Sequence, residues 1–186
     1  NKAVLQREDL ERRVDQLSIL TRRDEQTGLY NILFFREELE RRVDEYKRCR
    51  GEQFLSLVMV DIDNFNQFNE EHGQTTGNMI ITNVSRRIDR IARGMDIPCR
   101  FGGQEFAILL PRCPLKGASI FAERIRANMA GEPIETQSEL FQITVSCGCA
   151  EYVPEEDNAI FVNRAEEALR RAKNEGRNRV ILNETP

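Results

Sequence analysis

An α+β fold, with a central and mostly antiparallel sheet flanked by helices, is what this sequence predicts, and three observations carry the prediction. Strand and helix patterns are mixed along the chain without the strict strand–helix–strand repetition of a parallel sheet. The run Phe54-Leu55-Ser56-Leu57-Val58-Met59-Val60-Asp61-Ile62-Asp63 is nearly continuously apolar, as a buried central strand is. Finally, Cys99 to Pro111 places two apolar, β-prone runs on either side of Gly102-Gly103, which reads as a hairpin at the centre of the sheet.

Taken in order, residues 1 to about 22 are polar and helix-forming, with Ala3, Leu10, Val14, Leu17 and Thr21 on a loose seven-residue pattern that Arg7 interrupts. The segment reads either as an amphipathic helix packed on its own domain or as the end of a longer, dimerising linker helix. Residues 23 to 186 then form a single domain. Asp24 to Asn31 is a turn-rich connector, and Ile32 to Arg48 is an amphipathic helix carrying Phe34, Phe35, Leu39, Val43 and Tyr46. After the apolar strand, Asn64 to about Ala92 is helical, broken around His72 to Gly77, with Ile80, Ile81, Val84, Ile88 and Ile91 as its core stripe. Beyond the hairpin come a helix over Lys116 to Ala130, an alternating strand over Phe141 to Ala150, a helix over Asn158 to Asn174 and a short strand over Arg179 to Leu182.

Composition narrows the function. The 186 residues are 40% hydrophobic and 31% charged, which suits a water-soluble globular domain with a substantial core. No apolar run is long enough to span a bilayer and the first residues lack a signal-peptide core, so the expected place is the cytoplasm, including the cytoplasmic part of a larger sensor, without membrane contact. Thirty-one acids against 27 bases give a net charge of -4, which argues against duplex nucleic acid as a partner. The five cysteines are scattered without metal spacing and read as reduced, buried thiols. A single histidine, His72, leaves little for a histidine-rich zinc site or a Ser-His-Asp triad.

The candidate chemistry sits at strand ends. Asp61 and Asp63 close the apolar strand, although the two need not share a site. At the hairpin tip Gly102 and Gly103 let backbone approach a ligand and Glu105 brings charge. With Asp24-x-x-Thr27-Gly28-Leu29-x-Asn31, Val60-Asp61-Ile62-Asp63-x-Phe65, Phe68-Asn69-x-x-x-Gly73-x-x-x-Gly77, Arg100-Phe101-Gly102-Gly103-x-Glu105-Phe106 and Ala165-x-x-Ala168-Leu169-x-x-Ala172-Lys173-x-x-Gly176-Arg177-Asn178, the chain resembles the GGDEF family of bacterial diguanylate cyclases over residues 23 to about 183.

That resemblance implies a palm-like nucleotidyl-cyclase fold, in which two facing domains each hold GTP and divalent metal and together form cyclic di-GMP. By resemblance, Asp61 and the carbonyl of Ile62 ligate magnesium, as does the residue at position 104. Asn69 and Asn78 meet the guanine, with Phe65, Gly102 and Gly103 around the nucleotide. Lys173 and Arg177 hold the outer phosphates, where a point charge and a planar fork both suit phosphate oxygens. Arg93-Gly94-Met95-Asp96 resembles the inhibitory motif that binds cyclic di-GMP, with Arg124 and Arg126 as candidates for the rest of that site. The partners implied are GTP, cyclic di-GMP, a second copy of the chain and an upstream sensory domain.

Three positions depart from the active pattern. Gln104 stands where the family carries Asp or Glu, so it brings a weak amide oxygen to magnesium and no base near pH 7. Asn78 replaces an acid that accepts from guanine, and Asn66 replaces a commonly basic residue. The expectation is a degenerate domain that binds cyclic di-GMP, with GTP as a second ligand, and has weak or no cyclase activity. The alternatives are an active diguanylate cyclase, since Asp61, Asn69, Glu105, Lys173 and Arg177 are present, or a structural dimerisation domain.

Overall fold

The computed structural model describes residues 22–49, 53–136 and 139–184. The helix expected over residues 1 to 22 lies outside these, apart from Arg22.

The first helix of the described residues, α1 (Ile32–Arg48), starts where Asn31 accepts the Phe34 backbone N–H on its side-chain oxygen at 3.0 Å, satisfying a donor of the first turn. Strand β1 (Leu55–Ile62) follows and is buried at every position. Then come α2 (Phe65–Ile91), β2 (Ile97–Gly102), β3 (Glu105–Pro111) and α3 (Leu115–Gly131). Two short strands, β4 (Ile134–Glu135) and β5 (Leu140–Phe141), precede β6 (Val145–Glu151), α4 (Asn158–Asn174) and β7 (Val180–Asn183).

Among the described residues five strands form the main sheet, in the order β2-β3-β1-β6-β7. The neighbouring pairs are antiparallel except β6 with β7, which is parallel. Alternation along β1 explains why it is apolar throughout. Leu55, Leu57 and Met59 face a core shared with Phe35, Leu39 and Val43 of α1 and Phe161, Ala165 and Leu169 of α4. Val58, Val60 and Ile62 face the other core, against Ile80, Val84 and Ile88 of α2 and Ala122, Ile125 and Met129 of α3. A strand with helices on both sides has no polar face to show.

Two expectations shift. The break within the long helix narrows to Gly73, whose φ of 80° and ψ of 158° interrupt α2 for one residue. The strand expected from Phe141 to Ala150 is two strands: β5 pairs with β4 in a separate two-stranded sheet, and only Val145 onward joins the main one. The intervening side chains are drawn elsewhere, with Gln142 Nε2 donating to the Ala130 carbonyl at 2.8 Å and Thr144 Oγ1 to Asp63 at 2.7 Å. Alternation of side chains does not reveal such diversions. Among the described residues no helix is long and apolar enough to cross a membrane.

Candidate active site

The antiparallel pairing of β1 with β3 sets the end of one strand beside the start of the other, so Asp61 stands opposite Glu105. The turn between β2 and β3 is tight, with Gly102 opposite Glu105 and Gly103 at a φ of 36°, in the left-handed region that favours glycine. Helix α4 crosses this end of the sheet and brings Lys173 Nζ to 2.9 Å from Asp61 Oδ2. Asp61, Ile62, Asp63, Phe65, Gln104, Lys173 and Arg177 thus share the wall of one cavity of about 290 Å³, along with Asn66. Sequence positions more than a hundred residues apart meet here because the central strand touches both the hairpin and the last helix.

Asp61 is the electrostatic centre. Burial pushes its carboxyl up to about 6; the bond and charge of Lys173 pull the other way, while the charges of Glu105 and Asp63 add to the rise. Its Oδ2 is buried, and the donor that reaches it among the described residues is Lys173 Nζ at 2.9 Å. Such an oxygen suits a hard cation. No group of three or more His, Cys, Asp or Glu side chains among the described residues is arranged to hold a metal. Magnesium commonly takes one or two carboxylates and completes its shell with water and substrate phosphates, so Asp61 and Glu105 fit a cation that shares its ligands with a nucleotide.

Asp63 is used differently. It accepts from Thr144 Oγ1 at 2.7 Å, Ser146 Oγ at 2.6 Å and the Asn178 backbone N–H at 3.0 Å, so its oxygens are committed to protein donors. The two acids of β1 and its extension therefore do separate jobs.

Gln104 lines the cavity from the turn, and its backbone carbonyl lies 3.4 Å from the Ile62 N–H. Asn69 is one turn along α2 from Phe65, and its Oδ1 is buried without a hydrogen-bond partner among the described residues. Gly77 is what makes room for it: a Cβ at that position would lie 1.8 Å from Asn69 Oδ1 and 3.1 Å from Phe65 Cζ. Asn78 is exposed beside it, its carbonyl accepting from Gln26 Nε2 at 3.2 Å. Asn78 does not reach the wall of the Asp61 cavity; it lines a neighbouring cleft with Gln26, Thr75 and Arg86.

The connector Asp24 to Asn31 does more than its composition suggests. Arg100 Nη1 bonds Asp24 Oδ1 at 3.1 Å and Gln26 Oε1 at 2.8 Å, while its Nε and Nη2 donate to the Gly103 carbonyl at 3.0 and 2.8 Å. Burial alone would raise the Asp24 carboxyl, but the bonds from Thr27 and Arg100 outweigh it and hold the group below the usual carboxylate range. The hairpin tip is thereby fastened to the start of the domain. The acid of that turn and the arginine before the glycines were the available signals, but their pairing needed the fold.

Arg93 and Asp96 sit at the opposite end of β2. The Arg93 N–H donates to Asp96 Oδ2 at 2.7 Å, and both line a second cavity of about 180 Å³ with Arg112, Cys113 and Arg124. Burial raises the Asp96 carboxyl against the opposing bond and charge of Arg93. Arg124 lines this cavity, whereas Arg126 pairs with Glu123 at 2.6 Å and with Asn178 Oδ1 at 2.8 Å, because residues two apart on a helix point in different directions.

Comparison with known proteins agrees with this geometry. The family described as diguanylate cyclase, GGDEF domain, matches residues 21–179. The chain is 36% identical over 167 residues to the diguanylate cyclase DgcM of Escherichia coli K12, covering 90% of this chain and 40% of that protein. It is 32% identical to the response regulator PleD of Caulobacter vibrioides, covering 85% of this chain and 35% of that one. The chain thus spans less than half the length of these curated relatives. Among solved structures, the GGDEF domain of DgcB from Caulobacter crescentus in complex with c-di-GMP superposes with a TM-score of 0.83 at 35% identity, over 88% of this chain and 94% of that one. The sheet order, the hairpin at the Asp61 cavity and these matches together place the chain in the GGDEF family of diguanylate cyclase domains.

Proposed function

We propose that this domain is a cyclic di-GMP receptor built on a cyclase scaffold, with weak or no turnover of its own. The observation that carries the reading is Gln104 on the wall of the Asp61 cavity, in the turn beside Glu105, where it adds no charge to a site that must seat magnesium and a triphosphate. A neutral amide there leaves Asp61 and Glu105 as the carboxylates available to the cation. Loss of one such ligand or transition-state donor costs about 2.7–4 kcal/mol, on the order of a hundredfold to a thousandfold in rate. Asn78 adds a second departure, since its amide offers one acceptor and opposes a donor with its NH2.

Magnesium, when bound with nucleotide, would be held by Asp61 and the Ile62 carbonyl with the Gln104 amide oxygen as a weak third ligand and Glu105 opposite Asp61, and would offset phosphate charge and help to activate the attacking hydroxyl. Lys173 and Arg177 bring cationic donors to the phosphates. Asn69 Oδ1, without a hydrogen-bond partner among the described residues, would accept from a base donor.

The receptor face is the Arg93 cavity. A guanidinium fork reads guanine O6 and N7, and a carboxylate accepts from the N1 and N2 donors, so Arg93 and Asp96 can grip a guanine base while Arg112 and Arg124 meet phosphate. The c-di-GMP complex of the DgcB domain supports the ligand class for this chain.

Calorimetric titration with cyclic di-GMP, beside turnover of GTP with magnesium, tests the reading. Saturable binding that Arg93→Ala abolishes, with turnover far below that of ordinary relatives, is the expected result. Turnover near theirs would overturn it in favour of the active cyclase, which the retained pair of Asp61 and Lys173 favours.

A further inference from the structure

Helix α4 ends in an unusual turn. Gly176 has a φ of 118°, and the next residues, Arg177 at 61° and Asn178 at 46°, are also left-handed although neither is glycine. A non-glycine residue in that region is disfavoured, and consecutive ones persist only where the surroundings hold them. Three hydrogen bonds hold it. The Arg177 N–H closes onto the Ala172 carbonyl at 2.9 Å, and the Asn178 N–H donates to Asp63 Oδ2 at 3.0 Å. From the other side, Arg126 Nη1 donates to Asn178 Oδ1 at 2.8 Å.

Asp63 is in turn immobilised. It is 9% exposed, and Thr144 Oγ1 and Ser146 Oγ donate to its two oxygens at 2.7 and 2.6 Å. Its backbone N–H also donates to the Thr144 carbonyl at 3.0 Å. The end of β1 and the start of β6 therefore form a rigid post, and the turn after α4 is tied to it. Arg177, the residue between the Ala172 closure and the Asn178 anchor, lines the Asp61 cavity.

We propose that Asp63 is a positioning residue for phosphate recognition: through the Asn178 backbone N–H it holds the left-handed turn that presents the Arg177 guanidinium to the outer phosphates of a nucleotide. This rests on the reading that the Asp61 cavity takes a nucleoside triphosphate. Asp63 touches neither phosphate nor cation in this role. It saves the turn from reorganising on binding, which is where a preorganised site gains affinity.

The test compares the affinities of GMP, magnesium-GDP and magnesium-GTP for the full chain by calorimetry. The parent should bind GTP more tightly than GMP. Asp63→Asn, which turns an acceptor-only group into one that presents N–H toward a donor, should shrink that preference about tenfold and leave GMP binding within about twofold, the loss expected for one charged hydrogen bond. Arg177→Ala should remove the same preference, and the double variant should lose no more than Arg177→Ala alone. Thr144→Val, isosteric and loosening only one side of the post, is the companion variant should Asp63→Asn fail to fold, with a smaller loss in the same direction. Equal weakening of GMP and GTP by Asp63→Asn, or additive losses in the double variant, would overturn the proposal and mark Asp63 as a general stabiliser. A parent that binds GTP no better than GMP takes down the cavity reading and the proposal together. A parent preference that survives Asp63→Asn takes down the proposal alone.

Discussion

Asp61 shows how one buried side chain couples folding to pH. Its folded-state value of about 6 exceeds the ordinary 3.8, so the folded chain holds this proton more tightly than the unfolded one. Stability from this group is therefore greatest at low pH and falls as pH rises from about 4 through about 6. The penalty at neutral pH is about 1–3 kcal/mol, the opposing pull of the lysine being already contained in that value. Asp61→Asn should melt above the parent at pH 7.5, and the gap should close near pH 4; thermal melts at both pH values check it. Gly77 makes a second point. Alanine there would push Asn69 aside, because the amide end lies in the space a Cβ needs. Gly77→Ala should cost about 1–3 kcal/mol of stability and weaken GTP binding more than cyclic di-GMP binding, as parallel titrations would show. Asp61, Lys173 and Arg177, which line one cavity, were legible as candidate site residues from type and motif, whereas the contacts of Asp63 and Arg100 depend on partners many residues away.

Elements hold the site through close contacts at a few positions. Helix α4 lies on β6 so tightly that a Cβ at Gly148 would come within 2.2 Å of the Leu169 backbone nitrogen and 2.3 Å of the Ala165 carbonyl. Backbone cannot step aside as a side chain can, so Gly148→Ala should destabilise the domain by about 3 kcal/mol or more. It should also draw Lys173 away from Asp61; denaturant melts and GTP titration test both effects. The β2–β3 hairpin depends in turn on Arg100, which spans Asp24, Gln26 and the Gly103 carbonyl. Arg100→Ala leaves the half-buried Asp24 carboxylate with Thr27 alone and the tip untied, at about 1–3 kcal/mol. Amide exchange at residues 102 to 105 should then quicken more than exchange in β1. The helices and the hairpin were visible in the periodicity. The division at Gln142 to Thr144 was not, because side chains drawn to helix ends and to Asp63 leave no mark on alternation.

At the scale of the whole molecule, the two cavities lie at opposite ends of the same pair of strands. Ile97, next to Asp96, pairs with Leu109, whereas Gly102 pairs with Glu105 beside Asp61. Strand of that length separates the cavities by about 15–20 Å. One ligand should therefore bind without excluding the other. Arg93→Ala should remove cyclic di-GMP binding and spare GTP, and Lys173→Ala should do the reverse; paired titrations would reveal a shared site if either variant lost both ligands. The sequence by itself determined the α+β class, the buried central strand, the glycine hairpin and the residue types of both sites, because periodicity and composition are local properties that a chain carries before it folds. Only the tertiary structure decided that Asp61 meets Lys173 while Asp63 grips the turn after α4, that Arg124 rather than Arg126 joins Arg93, and that the Asp24 turn anchors the hairpin. Those pairings arise from strand order and helix rotation, which bring distant residues within a few ångströms and which no short window of sequence encodes.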